Sequence, residues 1–185
     1  RALNEECGVF GVISTPDAAA LTALGLHALQ HRGQEAAGVA SYDGVAFRTE
    51  RHLGLVSDNF SDASVLARLK GVAAIGHTRY STQGETVLKN VQPLYADLDR
   101  DGIAVAHNGN LTNARKLRAE LKQRGCIFQS TSDSELFLHL TARSHHLLMI
   151  DKVIDALKQV EGAYALAILT KDGLIGARDP VGIRP

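Results

Sequence analysis

Short apolar runs bounded by turn residues are interspersed with amphipathic segments along this chain of 185 residues. Apolar runs of about four to eight residues are typical of buried strands, whereas apolar residues spaced three and four apart indicate helices. On this basis we predict strands over 7–13, 36–42, 45–49, 72–76, 103–106, 126–129, 164–170 and 174–177. We predict helices over 16–31, 62–70, 113–124, 133–140 and about 150–160. The segment 83–101 shows neither the strand pattern nor the helix pattern.

Two pairs of the predicted strands are joined by turn sequences that indicate antiparallel hairpins. The Asp-Gly pair at 43–44 joins the strands 36–42 and 45–49. The Lys-Asp-Gly segment at 171–173 joins the strands 164–170 and 174–177. The strand over 72–76 is apolar on both faces, and a strand of that kind needs cover on both sides. Because the helices come in groups between the hairpins, we expect the α+β class, with helices outside and stacked sheets inside.

The charge balance argues against a polyanionic partner. Twenty basic and twenty acidic residues give a formal net charge of zero, so we expect a small ligand, no nucleic acid and no anionic membrane. Cys7 and Cys126 lack the spacing of a zinc site and suggest no disulfide framework, which favours a reducing, cytoplasmic setting. No apolar stretch approaches the ~20 residues of a membrane span, and residues 1–6 lack the apolar core of a signal peptide.

Cys7 is the candidate nucleophile, and it stands at the start of the first predicted strand. If residues 1–6 were removed, the α-amino group of Cys7 would become a base beside its own thiol. An unperturbed α-amine titrates near pH ~8 and a thiol near ~8.5, so transfer of the thiol proton to the amine would be nearly balanced at neutral pH. The alternative is that Cys7 is simply a small buried apolar residue.

Three polar segments follow predicted strands or open a predicted helix, and each has two interpretations. Arg79, in the loop after the strand 72–76, offers a planar fork that matches a carboxylate, or it is an ordinary solvated arginine. Asn108 and Gly109 bring a side-chain amide and a backbone N–H to an oxyanion, or they form a hairpin turn. Asp133 binds a cationic amine, or it caps the following helix. The histidines near these segments show no metal-ligand spacing.

Six motifs occur in order along nearly the whole chain. They are Cys-Gly-Val-Phe-Gly at 7–11, His-Arg-Gly-Gln at 31–34, Gly-His-Thr-Arg-Tyr-Ser-Thr at 76–82, His-Asn-Gly-Asn at 107–110, Ser-Asp-Ser-Glu at 132–135 and Arg-Asp-Pro-Val-Gly-Ile-Arg-Pro at 178–185. Together they resemble the class II glutamine amidotransferases of the N-terminal-nucleophile superfamily. The resemblance implies a four-layer αββα sandwich and glutamine as the substrate.

The resemblance implies that Cys7 attacks the side-chain amide of glutamine, and that Asn108 and the N–H of Gly109 hold the oxyanion. In this sequence Cys7 is not residue 1, so its nitrogen is an amide without basicity. Residues 1–6 resemble a propeptide of the kind that some members carry, and we expect the glutaminase domain to span 7–185. Because the family's domain continues further, we expect truncation at the C-terminal end and no phosphoribosyltransferase domain in this chain.

At the other end of the substrate, the resemblance implies that Arg79 binds the α-carboxylate of glutamine with help from Thr82, and that Asp133 binds the α-amine. The likeness is greatest to the purine-synthesis branch, in which a phosphoribosyltransferase domain uses the ammonia that the glutaminase domain releases. That branch implies a homo-oligomer, with Mg²⁺ in the phosphoribosyltransferase domain and room for an iron–sulfur cluster there. It implies no cofactor for this chain.

Two rival interpretations remain open. The glutaminase domain of glucosamine-6-phosphate synthase shares the cysteine, the arginine, the Asn-Gly pair and the aspartate. It differs in having an aromatic Tyr-Arg-Gly-Tyr type where this chain has His-Arg-Gly-Gln, at 31–34, and Trp-Ala where this chain has Tyr-Ser, at 80–81. The second rival is a non-catalytic glutamine-sensing domain, which is favoured if the α-amine of Cys7 is never released.

Overall fold

The computed structural model describes residues 7–80, 87–98 and 101–184. The strands in these ranges are β1 (Cys7–Ile13), β2 (Ala36–Tyr42), β3 (Phe47–Leu53), β4 (Ala73–Arg79), β5 (Leu94–Leu98), β6 (Asp101–Leu111), β7 (Gly162–Thr170) and β8 (Gly173–Arg178). The α-helices are α1 (Ala18–Ala28), α2 (Val56–Phe60), α3 (Ala63–Arg68), α4 (Ala114–Gln123), α5 (Glu135–Arg143) and α6 (Met149–Leu157). Short 3₁₀ turns cover Gln30–Arg32 and Leu88–Asn90. None of the described helices is both long and apolar enough to cross a membrane.

The strands form two antiparallel sheets of four strands each. The first sheet has the order β1-β4-β2-β3, and the second has the order β5-β6-β7-β8. Helix α1 packs against β1, β4 and β2 of the first sheet, and α5 packs against β5 and β6 of the second. The sheets face one another through β1, β4, β6 and β7, so the layers run helix, sheet, sheet, helix. The predicted αββα sandwich of the α+β class is confirmed.

Small side chains fill most of the space between the two sheets. The buried members of this inner core are Ala40, Ala73, Ile75, Ala104, Ala106, Ala167 and Leu169. Larger side chains, such as Phe137 of α5 and Leu26 of α1, are buried in the cores beneath the helices. Because the side chains of the facing sheets set their separation, alanines allow a close approach. A hydrogen bond crosses between the sheets, with 3.1 Å separating Nε2 of His77 and the carbonyl oxygen of His107.

Strands β4 and β6 are longer than the sequence predicts. They include the polar segments 77–79 and 107–111, because the backbone of both segments is paired with neighbouring strands. Arg79 was expected in a loop, but it is the last residue of β4, which lies between β1 and β2. Asn108 and Gly109 were expected at a strand end and lie inside β6.

Several other boundaries also differ. The loop of the first hairpin spans four residues, since Tyr42 pairs with Phe47 and the Asp43 carboxylate accepts hydrogen bonds from the N–H groups of Val45 and Ala46. Strand β3 therefore begins two residues later than predicted. The helix predicted over 16–31 is divided into α1 and the following 3₁₀ turn.

One predicted strand is wrong, and two elements were not predicted. The segment 126–129 has no strand partner; its end is held instead by the Glu135 carboxylate, which accepts from the N–H of Gln129 at 2.8 Å. Strand β5 forms within the segment 83–101, where only every second residue of Leu94–Leu98 turns inward. Helix α2 is only five residues long, too short for a helical period to be recognised.

Candidate active site

Strand register brings Cys7 and Arg79 together. Cys7 begins β1, Arg79 ends the antiparallel strand β4, and the two are cross-strand partners. The Cys7 thiol donates to the carbonyl oxygen of Tyr80, with Sγ and oxygen 3.8 Å apart. Both residues line a cavity of about 780 Å³, which Asn108, Gly109 and Asp133 also line. Five of the six predicted site residues therefore share one cavity. The sixth, Thr82, lies outside the described residues.

Asn108 and Gly109 lie in the middle of paired strands and do not form the alternative hairpin turn. They pair with Ala165 and Tyr164 of β7. Nδ2 of Asn108 donates to the carbonyl oxygen of Cys7 at 3.2 Å, so the amide reaches across the sheets to the backbone of the predicted nucleophile's residue. Gly109 has φ +156°, and a Cβ there would lie 2.1 Å from the carbonyl oxygen of Ala163. Only glycine fits at this position.

Asp133 does not cap the helix that follows it. The N-cap of α5 is Ser134, and an oxygen of the Asp133 carboxylate instead accepts from the N–H of Leu111, at the end of β6, at 3.0 Å. The other oxygen lies 3.6 Å from Nδ1 of His107. Burial raises the pKa of the Asp133 carboxyl, but the His107 ring and the Leu111 N–H together outweigh burial and lower that pKa below its ordinary value. Asp133 is therefore an anion at neutral pH, suited to a cationic amine.

The guanidinium of Arg79 has spare hydrogen-bonding capacity. Nη1 donates to the carbonyl oxygen of Asn90 at 3.3 Å. Nε is buried without a hydrogen-bond partner among the described residues. A buried donor without a partner is costly, and a carboxylate entering the cavity could accept from this group.

Sequence reasoning missed a second set of polar residues around the cavity. The side-chain amide of Gln92 makes two hydrogen bonds with the backbone of His107. Its Oε1 accepts from the N–H of His107 at 2.7 Å, and its Nε2 donates to the carbonyl oxygen of His107 at 3.3 Å. Nδ1 of His107 lies 3.1 Å from Oγ of Ser134. Asn90 and Arg184 line the same cavity. Asn90 and Gln92 stand in the segment 83–101, where an Asn-x-Gln pattern before proline was the only available signal.

His77 is buried in its neutral form and should make folding sensitive to acid. Burial, followed by electrostatic repulsion from Arg79 and His107, lowers the pKa of His77 to about 3. An unfolded histidine binds its proton near pH ~6.5, so the unfolded state holds more protons between these two values. The contribution of His77 to the free energy of unfolding is complete above that window and decreases as the pH falls through it. We expect a loss of about 2 kcal/mol between pH 7 and pH 5 from this residue.

Urea unfolding at pH 7 and pH 5 tests the His77 prediction. His77→Gln keeps a side-chain N–H for the carbonyl oxygen of His107 but cannot titrate, so its stability should differ less between the two pH values. His146→Gln is the control, because this histidine is exposed. Equal pH dependence in the wild-type and His77→Gln chains would contradict the prediction.

The described residues contain no group of three or more His, Cys, Asp or Glu side chains arranged to hold a metal ion. The family resemblance connects Mg²⁺ and an iron–sulfur cluster with a phosphoribosyltransferase domain, and the chemistry proposed for this chain uses neither.

The chain is similar in sequence to known proteins. The sequence profile of a family described as "Glutamine amidotransferase domain" matches residues 77–185. The chain is 60% identical to an amidophosphoribosyltransferase of Rhizobium etli over 99% of its own length and 37% of that protein. It is 50% identical to an amidophosphoribosyltransferase of Lacticaseibacillus casei, covering 100% of this chain and 95% of that one.

A solved structure gives the same result. The glutamine phosphoribosylpyrophosphate amidotransferase of B. subtilis, in complex with ADP and GMP, matches with a TM-score of 0.88 and 42% identity, over 96% of this chain and 38% of that chain. The chain thus spans little more than a third of the R. etli and B. subtilis proteins. By its sequence and its fold, the chain belongs to the glutamine amidotransferase domain family and, within it, to the amidophosphoribosyltransferases.

Proposed function

We propose that the chain hydrolyses glutamine to glutamate and ammonia through a thioester on Cys7. The observation that carries the proposal is the shared cavity, in which a thiol, an amide donor, a guanidinium and a carboxylate face the same space. Glutamine needs each of these groups. Its α-carboxylate matches the Arg79 guanidinium, its α-ammonium matches the ionised Asp133, and its side-chain amide extends towards the thiol.

The proposed reaction has two steps. The Cys7 sulfur attacks the amide carbon, and the resulting oxyanion accepts hydrogen bonds from Nδ2 of Asn108 and the N–H of Gly109. When the tetrahedral intermediate breaks down, the C–N bond is cleaved and the nitrogen leaves as ammonia after taking the thiol proton. Water then attacks the thioester, which releases glutamate and restores the thiol. Thr82 remains a proposed aid to binding of the carboxylate.

The base of the first step is proposed to be the α-amine of Cys7, released by cleavage of the 6–7 peptide bond. Residues 1–6 would then be a propeptide and 7–185 the glutaminase domain. The described histidine of the cavity is poorly placed for this task. Nδ1 of His107 faces Ser134 and Asp133. Its Nε2 lies against Gly109, 2.8 Å from where a Cβ on that residue would be.

In the whole enzyme, the ammonia is proposed to react with phosphoribosyl diphosphate to give 5-phosphoribosylamine for purine synthesis. The names of the relatives support this acceptor over that of glucosamine-6-phosphate synthase. The proposal includes a phosphoribosyltransferase domain as partner, a homo-oligomer and a cytoplasmic setting. A reducing setting suits a catalytic thiol, and neither Cys7 nor Cys126 forms a disulfide.

Product analysis tests the proposal directly. The chain beginning at Cys7 should release glutamate and ammonia from L-glutamine in equal amounts, and Cys7→Ala should release neither. Cys126→Ala, which removes the other thiol, is the matched control. Binding of glutamine without hydrolysis by the processed chain would favour the glutamine-sensing alternative and refute the proposal.

Arg79→Leu should raise the KM for glutamine by about 10- to 100-fold, because a hydrogen bond to a charged group contributes about 1.5–3 kcal/mol. Asp133→Asn should have a similar effect, because each charge of a zwitterion in a closed site needs an oppositely charged partner. Steady-state assays measure both. Arg48→Leu is the control, because that guanidinium pairs with Asp43 at 3.2 Å and does not line the cavity. A near-normal KM in Arg79→Leu would show that Arg79 does not bind the α-carboxylate of glutamine.

A further inference from the structure

One buried residue, Asn90, bridges two segments that carry opposite charges of the proposed glutamine site. Asn90 ends the 3₁₀ turn before β5 and is only 5% exposed. Its Oδ1 accepts from the N–H of Thr131 at 3.0 Å, and its Nδ2 donates to Oγ1 of Thr131 at 2.8 Å. Thr131 stands two residues before Asp133 in the same loop. The Asn90 amide therefore holds the loop that presents the carboxylate.

The main chain of Asn90 contacts the opposite charge. Its carbonyl oxygen accepts from Nη1 of Arg79 at 3.3 Å. The guanidinium belongs to the first sheet, whereas Asp133 is hydrogen-bonded to the end of β6 in the second sheet. Asn90 thus links the two charged groups across the junction of the sheets, through its backbone on one side and its side chain on the other.

The remaining supports of the Asp133 loop come from the second half of the sandwich. The Glu135 carboxylate accepts from the N–H groups of Gln129 and Ser130 at 2.8 Å each. Nη1 of Arg118 donates to the carbonyl oxygen of Ser130 at 2.9 Å. These bonds fix the start of the loop to α5 and α4. None of these bonds contacts Arg79, whereas Asn90 contacts both Arg79 and the loop.

We infer that Asn90 is a positioning residue that sets the separation between the Arg79 guanidinium and the Asp133 carboxylate. The inference rests on the proposed glutaminase function. The α-carboxylate and α-ammonium of glutamine are bonded to one carbon atom, so their protein partners must stand at one matching distance. Small misplacements of binding groups cost affinity even when every group is present. Asn90 acts on the substrate through Arg79 and Asp133.

Asn90→Ala, in the full chain processed to begin at Cys7, should raise the KM for L-glutamine about tenfold and leave kcat within about twofold, because it removes ground-state binding. A purely structural role would instead lower the thermal midpoint and the amount of active enzyme at an unchanged KM. Asn59→Ala is the matched control: Nδ2 of Asn59 donates to the carbonyl oxygens of Leu53 and Leu55 at 2.9 Å each, and this residue does not line the cavity.

Thr131 provides a second variant that tests the same bridge. Thr131→Val removes the acceptor of the Asn90 side chain and should raise KM, whereas Thr131→Ser keeps the oxygen and is the comparison. Combined with Asn90→Ala, Thr131→Val should add no further increase in KM, because both changes break one bridge. The rate at which iodoacetamide alkylates Cys7, which needs neither charge, should match that of the wild type in every variant.

The outcomes separate the two proposals. A normal KM in Asn90→Ala and Thr131→Val, alongside a raised KM in Arg79→Leu, would overturn the role of Asn90 and leave the glutaminase proposal intact. Additive increases in KM from Asn90→Ala and Thr131→Val would also overturn the bridge. An unmodified, processed chain without glutaminase activity would refute both.

Discussion

Removal of residues 1–6 is expected to raise the rate of glutamine hydrolysis by about 10²–10⁴-fold, the contribution that a positioned general base typically makes. Before removal, the nitrogen of Cys7 is a peptide amide and cannot take the thiol proton. Afterwards, an α-amine with a pKa near ~8 is bonded to the same Cα as the nucleophile, so its position follows from covalent geometry. The amine and the thiol then exchange a proton at little cost near neutral pH.

Mass spectrometry and a glutamate assay on the same samples measure this effect. Each preparation is incubated, its N-terminal mass is followed with time, and glutamate release is recorded at each point. Activity should rise in proportion to the fraction that begins at Cys7. Full activity in a chain that retains residues 1–6 would refute the α-amine as the base.

The same experiment shows what cleaves the chain. If the Cys7 thiol attacks the carbonyl group of residue 6, Cys7→Ala should remain at full length while Cys126→Ala is processed normally. Processing of Cys7→Ala at the wild-type rate would point to an outside protease. Such a result would leave the role of the α-amine intact, because the base depends on the cleaved product and not on the means of cleavage.

Asn108→Ala should lower kcat by about 10²–10³-fold, which is the usual effect of removing one oxyanion donor. In the structure Nδ2 of Asn108 lies 3.2 Å from the carbonyl oxygen of Cys7, so the donor already faces the nucleophile's residue. It is 4% exposed and fixed on a paired strand, and a donor held rigidly in place needs no reorganisation when charge develops on the substrate. The loss should therefore appear in kcat and leave KM almost unchanged.

Asn113→Ala is the control for Asn108→Ala. Its amide makes two hydrogen bonds, to the backbone of Gln159 and Glu161, and the residue does not line the cavity. Its kcat and KM should match those of the wild type. If Asn108→Ala kept a normal kcat and only raised KM, the amide would be a substrate-binding group, and the proposed oxyanion site would be wrong.

Sequence patterns predicted most of the elements that carry the site, and they did so where the period was clear. The apolar run at Cys7–Ile13, the helix of Leu117 and Leu121, and the hairpin of β7 and β8 all formed as expected. The candidate residues could be named because their chemistry is local. A thiol, a guanidinium, an amide beside glycine and a carboxylate can each be recognised without knowing the neighbours, and the order of six motifs was enough to indicate the family.

The sequence was least informative where polar residues form strands. Arg79 and Asn108 interrupt the apolar pattern, so the pattern placed them in a loop and at a strand end, yet both lie within paired strands. Their backbone groups are hydrogen-bonded by strands distant in the chain, and that pairing outweighs the low strand propensity of the side chains. Asn90 was missed for a related reason, since its contacts with Arg79 and the Asp133 loop join residues that lie far apart in the sequence.

By itself, the sequence determined which chemical groups this protein carries, the class of its fold and the family to which it belongs. The tertiary structure alone decided that Cys7 pairs with Arg79, that Asn108 faces Cys7 from the other sheet, and that the Asp133 carboxylate is hydrogen-bonded to the end of β6. Strand register and sheet stacking depend on the packing of residues dozens of positions apart. No local pattern contains that information, because a shift of one residue in strand register would move the side chains of Cys7, Arg79 and Asn108 to the opposite faces of their sheets.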